Sequence, residues 1–197
     1  MITGHLALAY AARALRKDAS LFVLFAAAIA PDILDLGYFA ARFCSPAGLY
    51  SHSVPALAIL APVTALAAWA VTRRSDVALA AAALVLLHTP LDLITGYKYL
   101  WPGTPVVGLV LYEYPLADFL LEAPLVIAAW WFLRRSGAGP RWATAGFALA
   151  ALIAVQAAFD TAKLFGEKGK PSGCVATTET GRADSPWRKS YHLRAGA

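Results

Sequence analysis

The chain has 197 residues, of which 59% are hydrophobic and only 15% charged, with a net charge of +5 and a mean hydropathy of +0.58. Globular domains run at roughly 45–50% apolar and about 25% charged, so this composition points to an integral membrane protein. It excludes a disordered chain, a disulfide scaffold and an ordinary soluble enzyme. The 17 basic residues sit at the ends of apolar runs and in the polar C-terminal stretch, the placement that orientation in a bilayer requires. No nucleic-acid motif accompanies them, so nucleic acid is not an expected partner.

Residues 2–16 (ITGHLALAYAARALR) are apolar and rich in helix formers, but too short for a full span of about 20 residues. A partial or tilted helix is expected there. Ala28-Ile29-Ala30, following Arg13, Arg16, Lys17 and an apolar run, imitates a signal-peptide cleavage site. The long apolar stretch ahead of it and Pro31 directly after it argue that the segment stays in the mature protein. The second segment, about 20–41, holds Pro31, Asp32 and Asp35 in its middle. A third runs from Val54 to Val71 and ends at Arg73-Arg74, and a fourth, about 77–97, contains His88, Pro90 and Asp92.

Residues 98–115, rich in Gly, Pro and aromatics, predict a re-entrant or interfacial loop. A fifth helix, about 116–133, carries Asp118 and Glu122 and ends at Arg134-Arg135. A sixth, about 142–164, carries Gln156 and Asp160. The expected fold is an all-α, polytopic bundle of five to six membrane segments over residues 1–165, the first of them short. A polar tail without packed structure follows over 166–197.

If the segments alternate, Arg13, Arg16, Lys17, Arg73, Arg74, Arg134, Arg135 and Arg141 share one side, which the positive-inside rule assigns to the cytoplasm. The loop from Phe43 to His52, the loop at Trp101 and the tail then face outward. Cys44 and Cys174 fall on that outer side, where a disulfide and two unpaired thiols are both open. Their spacing makes no cysteine zinc site.

Ionisable residues inside apolar segments are costly, and by default they face a bundle interior and mark function. Here there are nine: His5, Asp32, Asp35, His52 at a segment edge, His88, Asp92, Asp118, Glu122 and Asp160. His88 and Asp92 are four apart and so share a helix face, as do Asp32 with Asp35 and Asp118 with Glu122. An imidazole nitrogen and a carboxylate oxygen presented together are a pair of metal ligands. Pro31 and Pro90 each remove a backbone donor beside these groups, which can kink the helix and free a carbonyl.

Depth follows from the helical rise. His5 lies roughly 16 Å from the Arg16 end, Asp32 roughly 18 Å from position 20, and His88 roughly 20 Å from Arg74. Three segments thus bring their polar residues to one level, somewhat past the midplane of a ~30 Å core. Asp35 and Asp92 sit about one turn further out, towards the loop holding His52. The set can converge on one site in the outer half of the bilayer. Asp118 and Glu122 can instead face the loop or pair with Lys98, Asp160 pairs with Lys163 or Gln156, and His192 in the tail is solvated.

The order Gly4-His5, Pro31-Asp32-Ile33-Leu34-Asp35, Ser51-His52-Ser53 and His88-Thr89-Pro90-Leu91-Asp92 ahead of Trp101-Pro102 resembles the YdjM family. These are small bacterial and archaeal inner-membrane proteins described as metal-dependent hydrolases. The match covers about residues 1–130 and lies in the order of short motifs. It implies that His5, Asp32, Asp35, His52, His88 and Asp92 carry the family's site. The chain departs from the pattern by two residues rather than one between the aspartates, by Gly4 and Leu87 ahead of two histidines, and by lacking the His-Arg before Gly48.

A divalent metal, zinc foremost, bound by His5, His52, His88 and Asp92 with Asp32 as a further ligand would support hydrolysis. Asp35 or Glu122 would then be the general base or would orient a ligand. Asp118 is a further candidate. The His-x-x-x-Asp pair is similar to one in zinc-dependent phospholipases C, which favours a phosphoester. A site at this depth favours a membrane lipid or lipid-linked substrate. The same residues also suit a small proton- or metal-ion-coupled transporter, although no internal repeat supports one. The Ala-rich faces permit a scaffold role or a homo-oligomer.

Overall fold

A computed structural model describes residues 2–43 and 45–165 of the chain, without the side chains of Ile2 and of residues 163–165. The expectations for Cys44, for Cys174 and for the tail lie outside the described residues. Among the described residues eight α-helices are formed: α1 (Ile2–Leu15), α2 (Leu21–Ala28), α3 (Ala30–Ala40), α4 (Val54–Thr72), α5 (Ser75–Thr95), α6 (Pro115–Ser136), the single turn α7 (Arg141–Thr144) and α8 (Gly146–Phe165). The only strands among the described residues are β1 (Lys98–Tyr99) and β2 (Val106–Val107), which pair antiparallel.

The helical, membrane-type character read from composition is borne out. Helices α4, α5 and α6 are long and apolar enough to cross a membrane, and α2 with α3 make a fourth such span if the bent pair is taken as one. Helix α1 and the apolar part of α8, Gly146–Ala162, are shorter. Large apolar side chains such as Phe22, Leu36, Phe39, Ile59, Val63, Leu66 and Leu79 lie on the outside. Such an exterior suits lipid rather than water. The interior is packed with small residues, among them Ala9, Ala27, Ala28, Ala68 and Ala81 around Leu24, Val77 and Leu84. Small side chains let these helices approach closely.

Segment 20–41 is not one straight helix. It breaks at Ile29 (φ −107°, ψ 10°), and α2 and α3 meet at 59°. Pro31 explains the break, since its ring lacks a donor and would clash with the carbonyl four residues earlier. Helix α4 starts at Ser53, whose hydroxyl accepts from the Ala56 N–H (3.4 Å). It stops at Arg73, a single left-handed residue (φ 56°). Arg74 then opens α5 with a two-point pair to Asp76 and reaches Asp18 at 3.7 Å.

That Arg74–Asp18 pair joins the α1–α2 turn to the α4–α5 turn, and Phe22 stacks on Trp142 (5.6 Å). The basic chain ends therefore gather at one pole of the bundle. Arg73, Arg134 and Arg135 each lie over a tryptophan there, Trp69, Trp130 and Trp131. At the opposite pole the 98–115 segment forms the β1–β2 hairpin and a 3-10 turn at Leu111–Glu113. It folds back on the end of α5 through Leu109 N–H to Leu93 O (2.7 Å) and Val110 N–H to Gly96 O (3.2 Å). The Leu100 carbonyl also takes the Val54 N–H (2.9 Å).

Candidate metal centre

Four of the residues singled out in the sequence meet at this second pole. Asp32 from α3, His52 from the turn before α4, and His88 and Asp92 from α5 each offer a ligand atom, all within 4.8 Å of one another. His52 and His88 are fully buried and Asp92 nearly so, while the Asp32 side chain is 41% exposed. His52 Nε2 lies 3.1 Å from His88 Nε2, 3.5 Å from Asp32 Oδ1 and 3.2 Å from Asp92 Oδ2. His88 Nε2 lies 3.5 Å from Asp32 Oδ1 and 3.6 Å from Asp92 Oδ2. Donors at a metal–ligand distance of about 2.0–2.1 Å on a tetrahedron stand about 3.3 Å apart. The spacing suits one metal ion.

Each imidazole has its other nitrogen committed. The Nδ1–H of His88 donates to the Ala28 carbonyl (2.8 Å), at the α2–α3 break. His52 Nδ1 lies 2.6 Å from Ser51 Oγ and 3.3 Å from Asp35 Oδ2, and the Ser51 hydroxyl donates to Asp35 Oδ1 (2.5 Å). Both Nε2 atoms therefore face the centre of the cluster, as metal-ligating histidines do. Two imidazole nitrogens 3.1 Å apart need a cation between them, either a proton on His52 or a metal ion bound by both. The charge agrees. Asp32, Asp35 and Asp92 against Lys98, which pairs with Asp92 at 3.1 Å, leave minus two. Burial opposes a charge on His52, but hydrogen bonds to Asp32, Asp35 and Asp92 outweigh it and push its pKa up to about 9.

The backbone fits this arrangement locally. Gly48 lies in the left-handed region (φ 71°), and a Cβ there would come within 2.8 Å of His52 Nδ1. Its carbonyl accepts from the N–H groups of His52 (2.7 Å) and Ser51 (3.1 Å). On the other side the Thr89 hydroxyl donates to the His52 carbonyl (2.8 Å), tying the turn to α5.

His5 stands beside the four donors. Its Nε2–H donates to Asp92 Oδ1 (3.0 Å), and its ring stacks on His88 with centroids 3.5 Å apart. Its Nδ1 has no hydrogen-bond partner among the described residues, which assigns the hydrogen to Nε2. His5, expected as a ligand, thus contacts Asp92 and His88, and Asp35, expected as base or as an orienting group, contacts His52.

Glu122 is not brought into the cluster. Its Oε2 accepts from Thr3 Oγ1 (2.9 Å) and Gly4 N–H (3.0 Å) in a second buried network with Gln156. Asp118 is buried one turn earlier on the same helix. Asp160 pairs with Gln156, as one of the two sequence readings had it (2.8 Å). Lys98 pairs with Asp92 rather than with Asp118 or Glu122, because β1 directly follows α5 and turns its side chain back over Asp92. Lys98, the Ala28 carbonyl and the Ser51 hydroxyl were not assigned to the site from sequence. Ser51 and Lys98 each lie close in sequence to a called residue, whereas a main-chain carbonyl leaves no residue signal.

No protein-family model matches the chain, and no curated protein or solved structure matches it either.

Proposed function

We propose that the chain is a membrane-embedded, zinc-dependent hydrolase that cleaves a phosphoester of a lipid or lipid-linked substrate. One observation carries this reading: two buried imidazoles face each other at 3.1 Å with both Nδ1 atoms already committed, flanked by two carboxylates. His52, His88 and Asp92, the three buried donors, hold the ion and leave the exposed side at Asp32 for water and substrate. An ion held there would supply an activated water at neutral pH and polarise a phosphoryl oxygen. Asp32, on the exposed side of the cluster, would be the proton acceptor there. Lys98, beside Asp92, offsets the charge developing on the phosphoryl oxygens. His5, Asp35 and Ser51 fix the orientation of the donors.

The resemblance to the YdjM motifs and to the phospholipase C His-x-x-x-Asp pair supports hydrolysis and the phosphoester. The basic pole, read by the positive-inside rule, supports a cytoplasmic side there and a site in the outer half of a bacterial or archaeal cytoplasmic membrane. In this reading α1 and α8 complete a bundle of five to six segments, and the 98–115 hairpin lies at the interface.

The test is metal content of detergent-purified protein, with His88→Ala and Asp92→Asn alongside, followed by hydrolysis of phospholipid and polyprenyl-phosphate substrates. About one zinc per chain in the wild type, lost with activity in both variants, is expected. No metal after zinc is added back sinks the reading. Bound metal with uptake into vesicles and no hydrolysis would replace it by a transporter.

A further inference from the structure

The pole that holds the metal centre carries a cation that no carboxylate meets. Most basic side chains gather at the opposite pole, and among the described side chains only Arg42 and Lys98 are basic at this one. Lys98 is paired with Asp92 (3.1 Å). Arg42 is exposed, and its side chain has no hydrogen bond or ion pair among the described residues. It also holds a backbone position that normally falls to glycine. Helix α3 ends in two closing bonds, Arg42 N–H to Phe39 O (3.0 Å) and Phe43 N–H to Tyr38 O (2.8 Å), and Arg42 there is left-handed (φ 55°). A side chain at that position carries a steric cost that glycine avoids.

The turn forms one side of an open hollow of about 440 Å³ lined by Phe39, Ala40, Arg42 and Phe43. Its rim is apolar and faces outward, with Phe39 80% and Phe43 51% exposed. Phe43 packs on the rings of Tyr38 (5.2 Å) and Tyr50 (5.5 Å), which fixes the turn. An unpaired guanidinium beside an apolar rim suits neither water nor a hydrocarbon chain alone. It suits an anion that arrives with apolar groups attached. The planar fork of donors on an arginine matches two oxygens of a phosphate. A lipid headgroup combines the two.

We propose that Arg42, with Phe39 and Phe43, binds the phosphate of an anionic lipid headgroup. The place of the site on α3 ties it to the metal centre. Asp32, Leu36 and Phe39 stand at i, i+4 and i+7 and so share one face of the helix, along which Leu36 is 65% exposed. Arg42 follows Asp32 by ten positions, roughly 15 Å along the axis. An apolar stripe thus leads from the exposed carboxylate of the metal cluster to the hollow at Arg42. The site uses none of the four metal donors, so it stands whether or not the hydrolase reading does. On that reading it narrows the substrate to a lipid with an anionic headgroup.

Native mass spectrometry of the full-length protein, released from micelles doped with phosphatidylglycerol or phosphatidylcholine, reads the retained lipid. The wild type should hold phosphatidylglycerol in preference, and Arg42→Gln should weaken that binding by at least about tenfold, the typical effect of losing a charge-assisted hydrogen bond. Arg42→Lys keeps the charge without the fork and should retain part of it. Arg42→Gly relieves the left-handed backbone, so it should unfold at or above the wild-type temperature and still lose the lipid. Loss of lipid together with a lower unfolding temperature in Arg42→Gly would mean that Arg42 only supports the turn, and would overturn the site. Arg73, likewise left-handed (φ 56°) but lying over Trp69 at the opposite pole, is the control. Binding unchanged in Arg42→Gln, or lost equally in Arg73→Gln, would assign the lipid to the basic pole and overturn the proposal. Displacement of the lipid by an equal concentration of inorganic phosphate would make the ligand a soluble anion, and would overturn it too.

Discussion

The Nδ1–H of His88 donates to the main-chain carbonyl of Ala28 over 2.8 Å, across from α5 to the break between α2 and α3. The same break that Pro31 imposes places Asp32 against the cluster. Replacing Pro31 by Ala should let α2 run on into α3 and draw the Ala28 carbonyl into the helical ladder. His88 then loses its orienting acceptor, and Asp32 rotates away. Zinc affinity should fall about 10–100-fold, the usual effect of losing an orienting partner, while the protein stays folded. A competition titration with a zinc chelator measures this. Unchanged affinity in Pro31→Ala would detach the break from the site.

On the opposite side of the cluster, Asp35 and Ser51 do for His52 what Ala28 does for His88. Asp35→Asn and Ser51→Ala should each weaken zinc binding by about 10–100-fold without abolishing it, because neither supplies a ligand atom. His52→Ala should abolish it. If Asp35→Asn instead bound zinc normally and lost hydrolysis, Asp35 would be the base and Asp32 would not.

Much of this site was legible in the sequence, and the reason is cost. Asp32, His52, His88 and Asp92 stand out because polar groups in apolar segments are expensive, and the matched depth of Asp32 and His88 on two separate helices places them at one level. Glu122 carries the same signal but belongs elsewhere. Depth along a helix does not say which way its face points, and α6 presents Glu122 to Thr3 and Gly4 on α1. The break at Ile29 was half visible in Pro31, and the β1–β2 hairpin was not visible at all. Two strands of two residues each leave no periodicity to read.

Metal binding should depend on pH with a definite sign. With its pKa pushed up to about 9, His52 is protonated at neutral pH, and a metal ion must displace that proton. Apparent zinc affinity should therefore rise about tenfold per pH unit up to about 9 and level off above it. The metal-free protein should run the other way. The stability supplied by the charged His52 is complete below its ordinary value of 6.5 and is lost as pH rises through about 9. Zinc titrations and thermal unfolding across that window check both. Affinity independent of pH from about 6 to 9 would remove His52 as the displaced proton's holder.

Gly48 tests the fit beneath His52. Alanine at φ 71° costs roughly 1–2 kcal/mol by itself. Its Cβ would also press within 2.8 Å of His52 Nδ1, so the ring has to move. Gly48→Ala should lower zinc affinity more than it lowers the unfolding temperature. Gly103, left-handed as well but with nothing within 4 Å of its would-be Cβ, is the control. Gly103→Ala should carry the backbone cost alone and bind zinc as the wild type does. Equal loss of zinc in both would mean that backbone strain, not the contact with His52, sets the affinity.

On the proposed reading, Lys98 separates metal binding from hydrolysis. Its ammonium sits 3.1 Å from Asp92 Oδ2, the same oxygen that lies 3.2 Å from His52 Nε2. A cation on that oxygen competes with a metal ion for it, so Lys98→Met should tighten zinc binding by a few-fold. The charge that Lys98 offers to a phosphoryl oxygen would be gone, and loss of one such group typically costs about 100–1,000-fold in turnover. Lys98→Arg should keep the charge and recover part of the activity. Zinc affinity and hydrolysis are thus expected to move in opposite directions in Lys98→Met. If both fell together, Lys98 would be holding Asp92 in place for the metal rather than acting on the substrate.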